Sequence, residues 1–250
     1  MNGNTVAIIQ ARMGSSRLPG KVLLPLDGEH VLAHDIERVR AADAVDTVVV
    51  ATSFHPPDDI VANVARQAGA EIYRGSEDDV LARMRDAAAE HHADVVVRLT
   101  GDNPFVEPKL ISAAAREVAT GSADYASNKV ERTWPLGVDA EAFTFESFDA
   151  VEQQAREPHH REHVTPYYHE HPDRFDLRNI SVEDVYGDRP FEAGPELRLT
   201  LDEPSDYDLF RRVYREVSYD DIIDVPRVVD YIVSRDLSEA NSEVEQRTGW

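Results

Sequence analysis

The sequence predicts an α/β protein with a mostly parallel sheet flanked by helices, and three observations carry that prediction. In residues 1–100, short apolar or β-branched runs alternate with segments whose apolar residues recur at helical spacing, spelling βαβαβαβ. The run 94–100 (DVVVRLT) is apolar almost throughout, as a strand covered on both faces is. At 250 residues the chain is long enough for one substantial core, so residues 1–250 are expected to form a single domain.

Taken in order, residues 6–10 are an apolar run entering a loop rich in Gly, Ser, Pro and Arg, which reads as a buried first strand feeding a functional turn. Leu32, Ile36 and Val39 then make a helical face. Residues 47–52 (TVVVAT) are β-branched and strand-like; Ile60, Val61, Val64 and Ala68 lie on one helical face; residues 71–73 are a short strand. Val80, Leu81, Met84 and Ala88 give a third helix before the strand at 94–100. Beyond Gly101 the rhythm loosens. Residues 110–118 look helical, 123–127 and 138–143 look like strands, and 147–171 is a polar, histidine-bearing helical stretch broken at Pro158 and Pro166. Residues 175–180 and 197–201 read as further strands. Two helices close the pattern, with faces at Leu209, Val213 and Val217 and at Ile222, Val228 and Ile232.

Composition narrows the function. A formal charge of −22, from 48 acidic and 26 basic residues, repels nucleic-acid backbones and anionic lipid surfaces and resembles the balance of proteins adapted to high salt. The absence of cysteine excludes disulfides, thiolate metal sites and a cysteine nucleophile. No apolar stretch approaches the ~20 residues of a membrane span, and the first residues lack the pattern of a signal peptide, so a soluble, cytoplasmic protein is expected.

The chemistry begins in residues 10–21, QARMGSSRLPGK. A loop directly after the first strand, with small residues that let the backbone come close and with Arg12, Arg17 and Lys21 as cations, has the parts of a polyphosphate cradle. Arg makes forked contacts to phosphate oxygens and Lys acts as a point charge. Gln10, Ala11, Ser15 and Ser16 belong to the same expected nucleotide-binding set. The loop is neither a Walker loop nor a G-x-G-x-x-G, which removes the main support for P-loop and dinucleotide readings.

Two further segments match each other. Residues 98–104 (RLTGDNP) and 198–204 (RLTLDEP) share five of seven positions, and each sets a carboxylate, Asp102 or Asp202, just past an apolar run. In open α/β sheets ligands gather beyond the carboxyl ends of strands, where the first loop also lies. Mg²⁺ is typically held by one or two protein carboxylates together with substrate phosphates, which two aspartates facing a triphosphate satisfy. Singly, each aspartate reads equally well as a turn or helix cap.

Together these residues resemble a known family. IIQARMGSSRLPGKVLLPLDG, RLTGDNPFVEP, ADYASN, PLGVDAEAF, REHVTPYY and LRLTLDEPSDYDL, in that order, are similar to the spore-coat polysaccharide branch of the cytidylyltransferases, relatives of the acylneuraminate and ketodeoxyoctonate synthetases that make CMP-sugars. The resemblance implies a Rossmann-like fold of the GT-A-like nucleotidyltransferase kind, CTP and a sugar as substrates, Mg²⁺ as cofactor, a homodimer, and a role in surface polysaccharide synthesis. By position it puts Arg12, Arg17 and Lys21 on the triphosphate, Asp102 and Asp202 on the metal, and Asp139 and Glu141 near the sugar. Residues 123–200 are then expected to hold the acceptor and the dimer contact.

The remaining candidates compete with plainer readings. Thr52, Arg74 and Ser76 follow strands and are expected to border the base, though turn chemistry explains them nearly as well. Tyr125 and Asn128 are expected to line the acceptor site, the alternative being an ordinary strand end. His159 and His163 have the i, i+4 spacing that zinc uses, but without H-E-x-x-H order or a distant third ligand; the resemblance favours His163 as pocket wall or dimer contact. The acidic run 77–79 is expected to cap the helix that follows. Two rival functions stand beside the transferase: a GT-A-type glycosyltransferase, for which Asp102-Asn103-Pro104 supplies no D-x-D, and a non-catalytic nucleotide-binding regulator.

Overall fold

The first strand, β1 (Thr5–Gln10), shows why the sheet is buried on both faces: Val6 and Ile8 point into one apolar cluster, Ala7 and Ile9 into another. The computed structural model describes residues 3–187, 194–241 and 244. In it, β4 (Thr47–Ser53), β5 (Glu71–Gly75) and β6 (Val95–Thr100) join β1 in parallel. The pair β2 (Pro25–Leu26) and β3 (Glu29–His30) forms a separate small hairpin. β8 (Glu141–Thr144) adds antiparallel to β6 and to β7 (Tyr125–Ser127), and β9 (Leu177–Asn179) pairs parallel with β7. The seven-stranded order is β5-β4-β1-β6-β8-β7-β9, the mostly parallel sheet that the alternating pattern predicts.

One face carries α1 (Val31–Arg40), α2 (Asp59–Gln67), α4 (Pro108–Ala119), α9 (Pro204–Glu216) and α10 (Val225–Ser234); the other carries α3 (Val80–Glu90), α5 (Phe145–Gln154) and α7 (Pro166–Glu170). The histidine-bearing stretch breaks at both prolines, into α5, α6 (Pro158–His163) and α7. Proline at the first position of α4, α6, α7 and α9 starts each helix where its missing N–H costs nothing. α8 (Val182–Tyr186) is closed by a capping box between Ser181 and Asp184. No helix among the described residues is long and apolar enough to cross a membrane. Burying each Val, Leu or Ile is worth roughly 1.5–3 kcal/mol, so both sheet faces are committed to packing and the strand ends are left for chemistry.

Three expectations are corrected. Ile60 is 51 % exposed, because helical spacing sets the side a residue faces but not whether a neighbouring layer reaches the first turn of α2. Residues 197–201 do not form a sheet strand; they make one isolated parallel bridge, between Leu136 and Arg198. The Leu136 N–H donates to the Leu197 carbonyl and the Leu199 N–H to the Leu136 carbonyl. Gly137 makes this approach possible. Its φ is +92°, and a Cβ there would lie 2.4 Å from the Thr200 nitrogen, so only glycine fits. Ile222 falls before α10 and is half-buried.

Candidate active site

The cleft lies where β1 and β6 end. Gly101 donates its N–H to the Gln10 carbonyl, and a Cβ on it would sit 2.9 Å from that of Ala11, so the two strand ends nearly touch. From there the loop folds on itself: the Ser15 and Gly20 N–H groups donate to the Met13 carbonyl, and the Met13 N–H donates to Asp58 at 2.7 Å. Asp58 is 2 % exposed and also accepts the Ser53 hydroxyl, which pins the loop to the end of β4.

Lys21 is the centre of the site. Its Nζ lies 2.5 Å from Asp102 Oδ2 and 2.8 Å from Asp202 Oδ1. Arg17 also pairs with Asp202, at 2.8 Å. Burial works against the Lys21 ammonium, but the two carboxylates outweigh it and raise its pKa above the ordinary lysine value. Burial likewise opposes the Asp202 carboxylate, yet Lys21, Arg198 and Arg17 hold its pKa below the usual range. The Leu201 N–H donates to the Asp102 carbonyl at 3.0 Å, which ties the two aspartate segments together at the backbone.

Asp202 stands on a platform. Arg198 Nη2 lies 2.5 Å from Asp202 and its Nε donates to Asp206 at 3.0 Å; Asp206 is fully buried and accepts the Asp202 and Glu203 backbone N–H groups. Asn241 closes the platform by donating to Asp206.

Gln10, Ala11, Arg12, Ser15, Ser16, Arg17, Lys21, Asp102, Asp202 and His163 all line one cleft of about 300 Å³. Arg83 of α3, which the sequence reading passed over, lines it too. Burial, with Arg12 nearby, brings its pKa down to about 10. Two guanidinium nitrogens in this cleft, Arg17 Nη1 and Arg83 Nε, are buried without a hydrogen-bond partner. Buried donors of this kind are costly unless an acceptor meets them, and phosphate oxygens are such acceptors. The donor set also fits a hard divalent cation: two carboxylates already converge on a single positive charge.

Thr52, Arg74 and Ser76 are not among the residues that line this cleft. Thr52 is fully buried in β4. Arg74 is engaged by Asp59 and donates to the Ser53 carbonyl at 2.8 Å, with its guanidinium over the Phe54 ring. Ser76 serves the turn: its Oγ accepts from the Asp79 N–H and its carbonyl accepts from Arg83. Asp79 caps α3 by accepting the Ala82 N–H, as the acidic run predicts.

Tyr125, Asn128 and Glu141 are buried. Glu141 accepts from Tyr125 and Thr165, both at 2.7 Å, pairs with Arg98, and lies 3.4 Å from Lys129. Burial opposes its charge, but Lys129, Arg98 and the two hydroxyls hold its carboxyl far below the usual range. Arg98 donates in turn to Gln10 at 3.3 Å, so this network backs the cleft rather than lining it. Asn128 braces the chain by donating to the Val138 carbonyl and accepting the Ala140 N–H. Asp139 pairs with Arg132 at 2.8 Å, half-exposed. The i, i+4 histidine pair is split: His163 faces the cleft, whereas His159 and His160 both bond Glu170.

Arg83 gave no local signal, since one arginine in an amphipathic helix looks like any solvated residue. Arg98 and Arg198 did have one, as the shared first letter of the two matching segments.

A family model described as cytidylyltransferase matches residues 6–225. The chain is 35 % identical over 214 residues to the spore coat polysaccharide biosynthesis protein SpsF of Bacillus subtilis, covering 84 % of this chain and 85 % of that protein. It is 38 % identical over 139 residues to a 3-deoxy-manno-octulosonate cytidylyltransferase of Anaeromyxobacter dehalogenans, covering 52 % and 56 % of the two chains. Among solved structures, a cytidylyltransferase from Leptospira borgpetersenii superposes with a TM-score of 0.86 at 28 % identity, covering 98 % of this chain and all of that one.

Proposed function

The chain belongs to the cytidylyltransferase family, and from that premise we propose that it transfers CMP from CTP to a sugar, releasing pyrophosphate, for a surface polysaccharide or glycan. The sugar is a nonulosonic or ulosonic acid or a sugar phosphate. The observation that carries this reading is the convergence of Asp102 and Asp202 on Lys21, inside a cleft that also holds Arg12, Arg17 and Arg83.

An acceptor oxygen attacks the α-phosphorus in line, the bond from that phosphorus to the bridging oxygen breaks, and pyrophosphate leaves with the electron pair; where the acceptor is a hydroxyl, its proton passes to solvent. Arg17 and Arg83 turn the N–H groups that carry no hydrogen bond to the phosphate oxygens, and Lys21, released from the carboxylates, adds a point charge. Asp102 and Asp202 would hold Mg²⁺, which when bound neutralises phosphate charge and lowers the acceptor's pKa. The chain's own contribution is positioning and charge placement, the main source of catalysis in this chemistry. The buried Glu141 network holds Gln10 and Arg98 in register behind the nucleotide.

Within the single domain assigned to residues 1–250, we give acceptor recognition and homodimer contact to residues 123–200, of which 188–193 lie outside the described residues. We place the enzyme in the cytoplasm. Pyrophosphate release from CTP, ATP, GTP and UTP with Mg²⁺ at high salt, against nonulosonic acids, ketodeoxyoctonate and sugar 1-phosphates, tests the proposal. CTP-selective release that depends on one acceptor is expected; CTP binding without release for any acceptor favours the regulator.

A further inference from the structure

Two consecutive residues between α6 and α7 hold backbone conformations that their own chemistry disfavours. Val164 has φ +74° and ψ −55°, a γ-turn closed by the Thr165 N–H donating to the His163 carbonyl at 2.9 Å. A β-branched side chain at positive φ is an outlier, because both its branches crowd the backbone. Thr165 precedes Pro166 yet sits at φ −103° and ψ −6°, where the proline ring crowds the residue before it. Strained residues persist only where their surroundings over-determine them, and they gather at functional sites.

The surroundings here are explicit. The Val164 side chain is fully buried in the cluster with Tyr125, Phe143 and Tyr168, and its N–H donates to the His160 carbonyl at 3.0 Å. The Thr165 hydroxyl donates to Glu141 at 2.7 Å, and its carbonyl accepts the Tyr168 N–H at 3.1 Å. Glu141 is itself gripped by Arg98 and Tyr125. The residue on the other side of the turn, His163, lines the same cleft as Arg17 and Lys21. The turn therefore separates a residue facing the cleft from two residues locked in the core.

We propose that Val164 and Thr165 form a strained joint, anchored through the Thr165 hydroxyl on Glu141, that positions His163 in the cleft. Its catalytic consequence, alignment of the acceptor, rests on the transferase reading; its structural part does not. Val164 and Thr165 are positioning residues, since neither lines the cleft.

Four variants test this. Val164→Gly removes the strain and frees the turn to relax, Val164→Ala trims the side chain and keeps the strain, Thr165→Val removes the anchor, and Thr165→Ser keeps it. Glycine ordinarily leaves a protein less stable than alanine does, through its freer unfolded chain. With a strained joint the order reverses, and Val164→Gly melts at or above Val164→Ala. Burial lowers the His163 pKa, so its titration followed by NMR reports its position. That titration moves back toward the ordinary histidine value in Val164→Gly and Thr165→Val, and keeps the wild-type value in Val164→Ala and Thr165→Ser. In assays with a turned-over acceptor, kcat falls about tenfold in the two relaxed variants while KM for CTP is unchanged, the size expected for a small misplacement. A glycine variant that melts below the alanine variant, or one His163 titration common to all four, overturns the joint. A wild type inactive on every acceptor overturns the transferase reading, while the melting and titration measurements still decide the joint.

Discussion

Residues 98–104 and 198–204 share five of seven letters, and each delivers an aspartate to Lys21, but they are built differently. The first runs through β6, paired with β1 on one side and β8 on the other. The second is tied down by one bridge to Leu136 and by the backbone bond from Leu201 to Asp102. Their arginines diverge as well. Arg98 reaches across to Glu141, whereas Arg198 folds back onto Asp202 and Asp206, four and eight residues along. Equal letters thus give equal carboxylates on unequal supports: a sheet carries Asp102, and a local ion network carries Asp202.

If that is right, the largest stability losses come from the carboxylates under the two arginines. Asp206→Ala leaves Arg198 buried with one partner fewer and strips two N–H groups of their acceptor, so a loss of about 3–5 kcal/mol is expected in urea unfolding. Glu141→Ala should match it; a small loss at Asp206 alone would show that 198–204 does not depend on its network.

Turnover compares the aspartates directly. Asp102→Asn and Asp202→Asn should each lower kcat by about 10²–10³, the cost of losing one charge-placing group, with CTP binding retained. The double variant should be little worse than either single one, since groups acting as a unit are not additive. Multiplying losses in pyrophosphate release would mean that the two carboxylates do separate jobs, and undiminished turnover would remove both from the chemistry.

Gly137→Ala probes what admits the second segment. The added Cβ meets the backbone of Leu199 and Thr200, and φ +92° is unfavourable for alanine, so about 1–3 kcal/mol of stability should be lost along with activity. Thermal unfolding and pyrophosphate release check this; an alanine variant as stable and as active as the wild type would show that the second segment does not depend on the close approach at Gly137.

The smallest effect is in acid. Glu141 and Asp202 have folded pKa values below their unfolded ones, so each contributes stability that is fully present above the ordinary carboxylate range and is lost as pH falls through the folded value. Glu141→Gln should therefore flatten the decline of stability below about pH 4.5, and Asp202→Asn should flatten it less. Urea midpoints measured from pH 6 to pH 2.5 would show it; equal slopes in the two variants would erase the difference between the supports.

Much of this was legible in advance. The alternation of periods located β1, β4 and β6 and the helices between them, because a strand buried on both faces must be apolar throughout, and it located the half-exposed edge strand β5 by its place in the same rhythm. The loop after β1 and the two aspartates stood out through their residue types and the repeated segment. Thr52, Arg74 and Ser76 were drawn toward the base only by following strands; in the structure Thr52 is buried, Arg74 is in an ion pair and Ser76 holds a turn. Tyr125, Asn128 and Glu141 are polar letters that sit inside; Tyr125 and Glu141 back the cleft through Arg98, and Asn128 braces the backbone at 138–140.

By itself the sequence determined the repertoire: which runs bury, where the chain turns, and which side chains bring cations or carboxylate oxygens. Those properties are local, set by side-chain chemistry and by periods of two and 3.6 residues. Only the tertiary structure decided that Asp202 would meet Asp102 across Lys21, that Arg83 would enter the same cleft, and that Val164 would hold a strained turn beside it. Each of these depends on faces far apart in the chain packing against one another, and the distance between two side chains after packing is written in no single stretch of sequence.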